Sequence, residues 1–139
     1  CHFIGLNYYF HHALRFRLTG LAKLFTPEPH PTQPISDLGW EINPVGFGRV
    51  LHWLARYHKP IIIIENGLAD AADRLRPDFI RDHLRQVRHA LGDGVDIRGY
   101  FHWSLLDNFE WAEGFTPRFG LIAIDYMNFK RTPRPSAGR

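Results

Sequence analysis

Pro60-Ile61-Ile62-Ile63-Ile64-Glu65-Asn66-Gly67 is the stretch that decides the fold. Four isoleucines follow a proline that stops any preceding helix, and they predict a strand apolar on both faces. Strands of that kind belong in parallel sheets covered by helices. Glu65-Asn66-Gly67 closes the strand with a carboxylate and a turn. Glu65 can be read as a ligand-facing head on an apolar floor, or as a polar residue opening an Asn-Gly turn.

Working outward, Pro44 to Tyr57 predicts a helix, with Phe47, Val50, Leu51, Leu54 and Tyr57 in one apolar stripe. Phe47 and Trp53 are assigned to the core. Upstream, Phe3 to Tyr9 reads as a short buried strand, and His11 to Pro34 as irregular. Within that region Arg15-Phe16-Arg17-Leu18 alternates like an edge strand, while the prolines of Thr26 to Pro31 exclude helix. Downstream, a helix is expected from Pro77 to Leu91, buried through Ile80, Leu84, Val87 and Leu91 and stopped by Gly92. Val95 to Trp103 is the next strand. Ser104 to Phe119 is polar and aromatic, Leu121 to Arg131 reads as a hairpin, and Pro133 to Arg139 as a frayed tail. The order strand, helix, strand, helix, strand gives an α/β class with parallel, right-handed βαβ units.

The chain has 139 residues, 45% of them hydrophobic, which suffices for one core and argues against disorder. The isoleucine run is too short to span a membrane. Net charge is +3, but the arginines are interleaved with acids, as in Arg81-Asp82, which reads as solvated helix faces rather than a nucleic-acid patch. A single cysteine, Cys1, excludes an internal disulfide and fits a reducing compartment. The nine histidines are not grouped with carboxylates at ligand spacing, so no metal or cofactor is expected. Cys1-His2-Phe3 opens without the pattern of a secretory leader, and the location expected is cytoplasmic. The apolar run starting at the third residue suggests a piece of something longer.

In parallel α/β folds, ligands meet the sheet at the carboxyl ends of the strands. All three expected strands end in unusual residues: Asn7-Tyr8-Tyr9, Glu65-Asn66-Gly67, and Trp103 through Trp111. Tryptophan and phenylalanine there would stack on the apolar faces of sugar rings, with Glu, Asn and His meeting hydroxyls. Asp107-Asn108 reads as a loop held by side-chain-to-backbone bonds. His102 precedes Trp103 on a strand, so it faces the opposite side and is structural. Arg118 stays open between roles.

Phe3-Ile4-Gly5-Leu6-Asn7-Tyr8-Tyr9, then Pro60 through Gly67, then Gly99-Tyr100-Phe101-His102-Trp103-Ser104-Leu105-Leu106-Asp107-Asn108-Phe109-Glu110-Trp111 stand in the order seen in family 1 glycoside hydrolases. Arg118-Phe119-Gly120-Leu121, Asp125-Tyr126 and Lys130-Arg131-Thr132-Pro133 also resemble that family, so the resemblance spans essentially the whole chain. It implies the C-terminal part, about strands six to eight, of a (β/α)8 TIM barrel, with residues 1–139 forming a single partial domain. It also implies a retaining β-glycosidase, β-glucosidase-like, in the parent chain. Glu65 would be the nucleophile and Tyr9 would hydrogen-bond and orient it. Asn7 would sit beside the same site and Trp103 would be the platform under the glycone. Glu110 would accept from sugar hydroxyls and Trp111 would donate through its indole. Phe119 would pack at the pocket wall and Trp40 would line the aglycone side.

The chain departs from the family pattern at three places. Ile64 stands where members have threonine, Val45 where an acid is usual, and Pro135-Ser136-Ala137-Gly138-Arg139 where members continue into an aromatic-rich helix. The Asn-Glu-Pro motif that carries the family's acid/base glutamate does not occur in the sequence. Taken alone, the chain is therefore expected to be inactive and poorly folded, with two strand edges open. The implied partner is a β-glucoside or related carbohydrate; no nucleic acid or membrane is expected, and oligomeric state is left open. The alternatives are a non-catalytic sugar-binding remnant and a 6-phospho-β-glycosidase. Against the latter, Glu110 would repel a phosphate at O6.

Overall fold

A computed structural model describes residues 1–16, 25–27 and 32–138. Along the chain come β1 (Ile4–Tyr8), the pair β2 (Leu14–Phe16) and β3 (Phe25–Pro27), and helix α1 (Pro44–Ala55). Then follow β4 (Ile61–Gly67), α2 (Arg76–Gly92), β5 (Ile97–Trp103), and a second pair, β6 (Ile122–Ile124) and β7 (Arg131–Pro133). Strands β1, β4 and β5 form one parallel sheet in that order, with the isoleucine strand at its centre. β2 pairs with β3 and β6 with β7, both antiparallel.

Helix α1 starts where Asn43 Oδ1 accepts the Gly46 N–H at 2.7 Å, with Pro44 in the first turn. It ends at Ala55 rather than Tyr57. Tyr57 and His58 donate to Leu54 and Ala55, three residues back, and His58 takes a φ of 50° that the helix cannot continue. Helix α2 is capped from upstream: Asp70 Oδ2 accepts the N–H groups of Leu75 and Arg76 at 2.8 and 2.9 Å. Arg76 is itself fully buried, donating to the Asp70 and Arg118 carbonyls at 2.7 and 2.8 Å and paired with Asp73.

The core lies on one face of the sheet. Tyr8, Ile61 and Ile63 pack against Phe47 and Leu51 of α1 and Val87 and Ala90 of α2, with Val95 below. Phe47 is core as expected, but Trp53 is 51% exposed. It falls outside the helical arc of Phe47, Leu51 and Leu54, and its ring meets Tyr57 and Arg56 on the surface.

The buried face of α2 is Phe79, His83, Val87 and Ala90, one position from the expected stripe except at Val87. Leu84 and Leu91 are exposed. An apolar count misses this face because a histidine occupies it. His83 stacks on Phe79 at 3.9 Å and its Nδ1–H donates to the Phe79 carbonyl at 2.8 Å. Burial pushes this imidazole down to about 4, so it behaves as a neutral core group.

Three further expectations change. The region 11–34 contains β2 and β3; Arg15 and Phe16 lie in a strand, while residues 17, 18 and 28–31 fall outside the described ones. The hairpin runs on to Pro133. The tail is not frayed through residue 138: Ser136 is buried, and its N–H and Oγ–H donate to Asp73 at 2.9 and 2.7 Å. Farther along α2, Arg81 and Arg85 are solvated as read, pairing with Asp78 and Asp82 on the outer face, whereas Arg76 in the first turn is buried.

The opposite face of the sheet carries Gly5, Asn7, Ile62, Ile64, Gly99 and Phe101. It is uncovered: Ile64 is 45% and Phe101 61% exposed. Gly5 makes room for Ile64, since a Cβ there would lie 2.2 Å from Ile64 Cδ1.

Candidate active site

Strict alternation along β4 would send Glu65 to the same side as the buried Ile61 and Ile63, against the helices. A β-bulge prevents it. Leu6 faces Ile63 but Asn7 faces Glu65, so β4 spends two residues where β1 spends one. Asn66 takes the helix-side position instead. It is fully buried, its Nδ2 donates to the Tyr8 carbonyl at 2.6 Å, and its Oδ1 accepts from Tyr100 Oη at 2.8 Å. One side chain thus ties all three strands together. The strand continues through Gly67, where a Cβ would lie 1.9 Å from the Trp103 carbonyl oxygen. The Asn-Gly turn is thereby corrected: residues 65–67 are paired strand.

Half-buried, Glu65 receives the Tyr9 hydroxyl on Oε2 at 2.6 Å. Burial, then this bond and the charges of Glu65 and Glu110, raise the Tyr9 pKa, so the phenol stays protonated and remains a donor. The Tyr9 ring sits edge-on to Trp40 and to Phe119, each at 5.9 Å, and Trp40 lies 6.2 Å from Phe119. Phe119 is buried. At the end of β5, Trp103 Nε1–H donates to Glu110 Oε1 at 2.9 Å. Asn7 is exposed on β1 across from Glu65, and Trp111 is 84% exposed, with a φ of 51°.

Two contact groups therefore gather at the carboxyl ends of the strands. Tyr9, Glu65, Trp40 and Phe119 form one, and Trp103 with Glu110 the other. A carboxylate fixed by a phenol among aromatic rings can attack an electrophilic carbon or accept hydroxyls.

The surrounding polar residues hold the frame. Asp107 is buried and accepts from the Gly120 and Ile124 N–H groups and from both Arg134 terminal nitrogens at 2.9 to 3.2 Å. Although burial opposes ionisation, these donors hold its pKa below the usual carboxylate range. The open question at Arg118 resolves toward structure, through bonds to Ile124 and Asp107 and a cation–π contact with Tyr126 at 4.5 Å. His102 is on the helix side, edge-on to Phe79 at 6.5 Å, and burial with Arg76 nearby pushes it down to about 4.

Sequence reasoning missed two members of this region. Asn66 was hidden inside an Asn-Gly pair that mimics a turn. Phe10, next to Tyr9, stacks on Trp40 at 4.6 Å and 27°, and its aromatic neighbour at position 9 was the available signal.

The profile of glycosyl hydrolase family 1 matches residues 1–138. The chain belongs to that family. It is 51% identical to a β-galactosidase of Sulfolobus acidocaldarius over 106 residues, covering 75% of this chain and 21% of that protein. It is 39% identical to a 1,4-β-D-glucan glucohydrolase of Thermotoga neapolitana, covering 96% of this chain and 32% of that one. Among solved structures it superposes on a hyperthermophilic β-glucosidase from Pyrococcus furiosus with a TM-score of 0.90 at 42% identity, over 98% of this chain and 31% of the other. The family 1 segment described here thus spans between about a fifth and a third of the length of these relatives.

Proposed function

We propose that residues 1–139 are one partial domain, supplying about strands six to eight of a (β/α)8 barrel, and that the parent protein is a retaining β-glycosidase acting on β-glucosides or related sugars. The observation that carries this reading is the 2.6 Å bond from Tyr9 to Glu65, made on the uncovered side of a bulged strand beside Trp40 and Phe119. Glu65 attacks the anomeric carbon, the glycosidic C–O bond breaks, and the leaving oxygen takes a proton from an acid/base carboxyl. That carboxyl lies about 5–5.5 Å away in retaining enzymes and comes from outside these residues. Water, deprotonated by the same carboxyl, then displaces the ester and releases the sugar.

Tyr9 orients the nucleophile, Asn7 stands beside it, and Trp103 is the platform under the glycone. Glu110, already accepting from Trp103, takes sugar hydroxyls near O4 and O6, and its charge favours neutral over 6-phosphorylated sugars. Trp111 donates its indole N–H, Phe119 walls the pocket, and Trp40 lines the aglycone side. The segment alone is inactive, because a nucleophile without a proton donor cannot expel the leaving group. Incubating the full-length protein with a 2-deoxy-2-fluoro-β-glucoside should leave a covalent ester on Glu65, read by peptide mass spectrometry. Labelling elsewhere refutes the assignment.

A further inference from the structure

We propose that Phe10 is a specificity residue on the leaving-group side of this site, making the enzyme favour flat aromatic aglycones over alkyl chains. The inference rests on the glycosidase reading above, and it adds a residue that the relatives' names do not point to. Consecutive residues after β1 diverge: Tyr9 reaches Glu65 at 2.6 Å, whereas Phe10 lies against Trp40, ring centroids 4.6 Å apart and planes at 27°. His12 closes the far side of Phe10, edge-on at 4.8 Å and 82°. Trp40 is held from the other direction by Tyr9 and Phe119.

The result is a row of rings, Tyr9, Trp40, Phe10 and His12, that starts at the nucleophile. On the other side of β4, the strand that carries Glu65, stand Trp103 and Glu110 on the β5 side. With a sugar seated on Trp103 and its anomeric carbon at Glu65, a leaving group directed toward the β1 side meets the Trp40–Phe10 row. Stacking at 4.6 Å leaves no room for a ligand between Trp40 and Phe10. Phe10 instead locks the indole and offers its own accessible edge, both rings being half-buried. An aromatic leaving group gains offset or edge-to-face contact with such a row; an alkyl chain gains only burial, which any apolar residue supplies.

Full-length protein with Phe10→Leu and Phe10→Trp would be assayed on 4-nitrophenyl and octyl β-glucosides. Leucine keeps apolar area and removes the π face. Phe10→Leu should lower kcat/KM for the aryl glucoside about fivefold, mainly through KM, and change the alkyl glucoside less than about twofold. Phe10→Trp should restore the aryl value. Equal changes on both substrates, or no change on either, overturn the role of Phe10 while leaving the glycosidase reading standing. Wild-type protein inert toward both glucosides and unlabelled at Glu65 overturns that reading and this inference with it.

Discussion

The two faces of the three-stranded sheet are built to opposite specifications. On one, Tyr8, Ile61 and Ile63 are buried against Phe47, Leu51, Val87 and Ala90, so the face closes within the chain. On the other, Ile64 and Phe101 stand open beside Asn7 and the glycines at 5 and 99. A sheet meant to face water on one side alternates polar with apolar residues, and this one does not. The uncovered face is apolar along its floor and polar at its carboxyl rim, where the bulge delivers Glu65. Packing within the chain and the candidate site are thus segregated across one layer of backbone.

That segregation can be broken by experiment. Glu65→Gln in the full-length protein should lower turnover at least about a thousandfold, with the unfolding midpoint unchanged. A variant that unfolds instead would place Glu65 in the framework. Phe47→Ala should do the reverse, costing about 3–5 kcal/mol in urea unfolding.

His83 tests the helix face by pH. It is fully buried and its pKa is about 4 in the fold against 6.5 ordinarily, so between these values the native state binds fewer protons than the unfolded one. Stability is therefore full above about pH 6.5 and falls as pH drops. The loss is complete below about pH 4, amounting to about 3 kcal/mol. His83→Gln should flatten that part of the profile, and an unchanged slope would assign the acid loss to other groups.

Tyr9→Phe, which removes one charge-assisted hydrogen bond, should reduce kcat about tenfold with little effect on unfolding. The smallest effect is expected at Phe101. Phe101→Ser in the 139-residue chain should lower light scattering from self-association, because it removes apolar surface from the open face. Unchanged scattering would mean that this face does not drive association.

How much of this was legible beforehand varies by residue. The three strands of the parallel sheet, both helices and the family are readable because β-branched runs, proline stops and long ordered motifs are local signals. The failures share a cause. Counting apolar residues puts Trp53, Leu84 and Leu91 inside, whereas packing buries a stacked histidine and leaves those three outside. Ser136 is fixed by Asp73, 63 residues earlier in the chain, a distance no local pattern spans.

By itself, the sequence determined that a parallel, isoleucine-centred α/β segment forms and that a glutamate sits at its rim among tyrosines and tryptophans. Only the tertiary structure decided which way that glutamate points. Alternation alone would bury it under the helices; the extra residue between Ile63 and Asn66, fitted against Asn7 of the neighbouring strand, turns it to the Tyr9 side. A bulge is a property of two strands in register, and register is set by packing between segments that the linear chain keeps more than fifty residues apart.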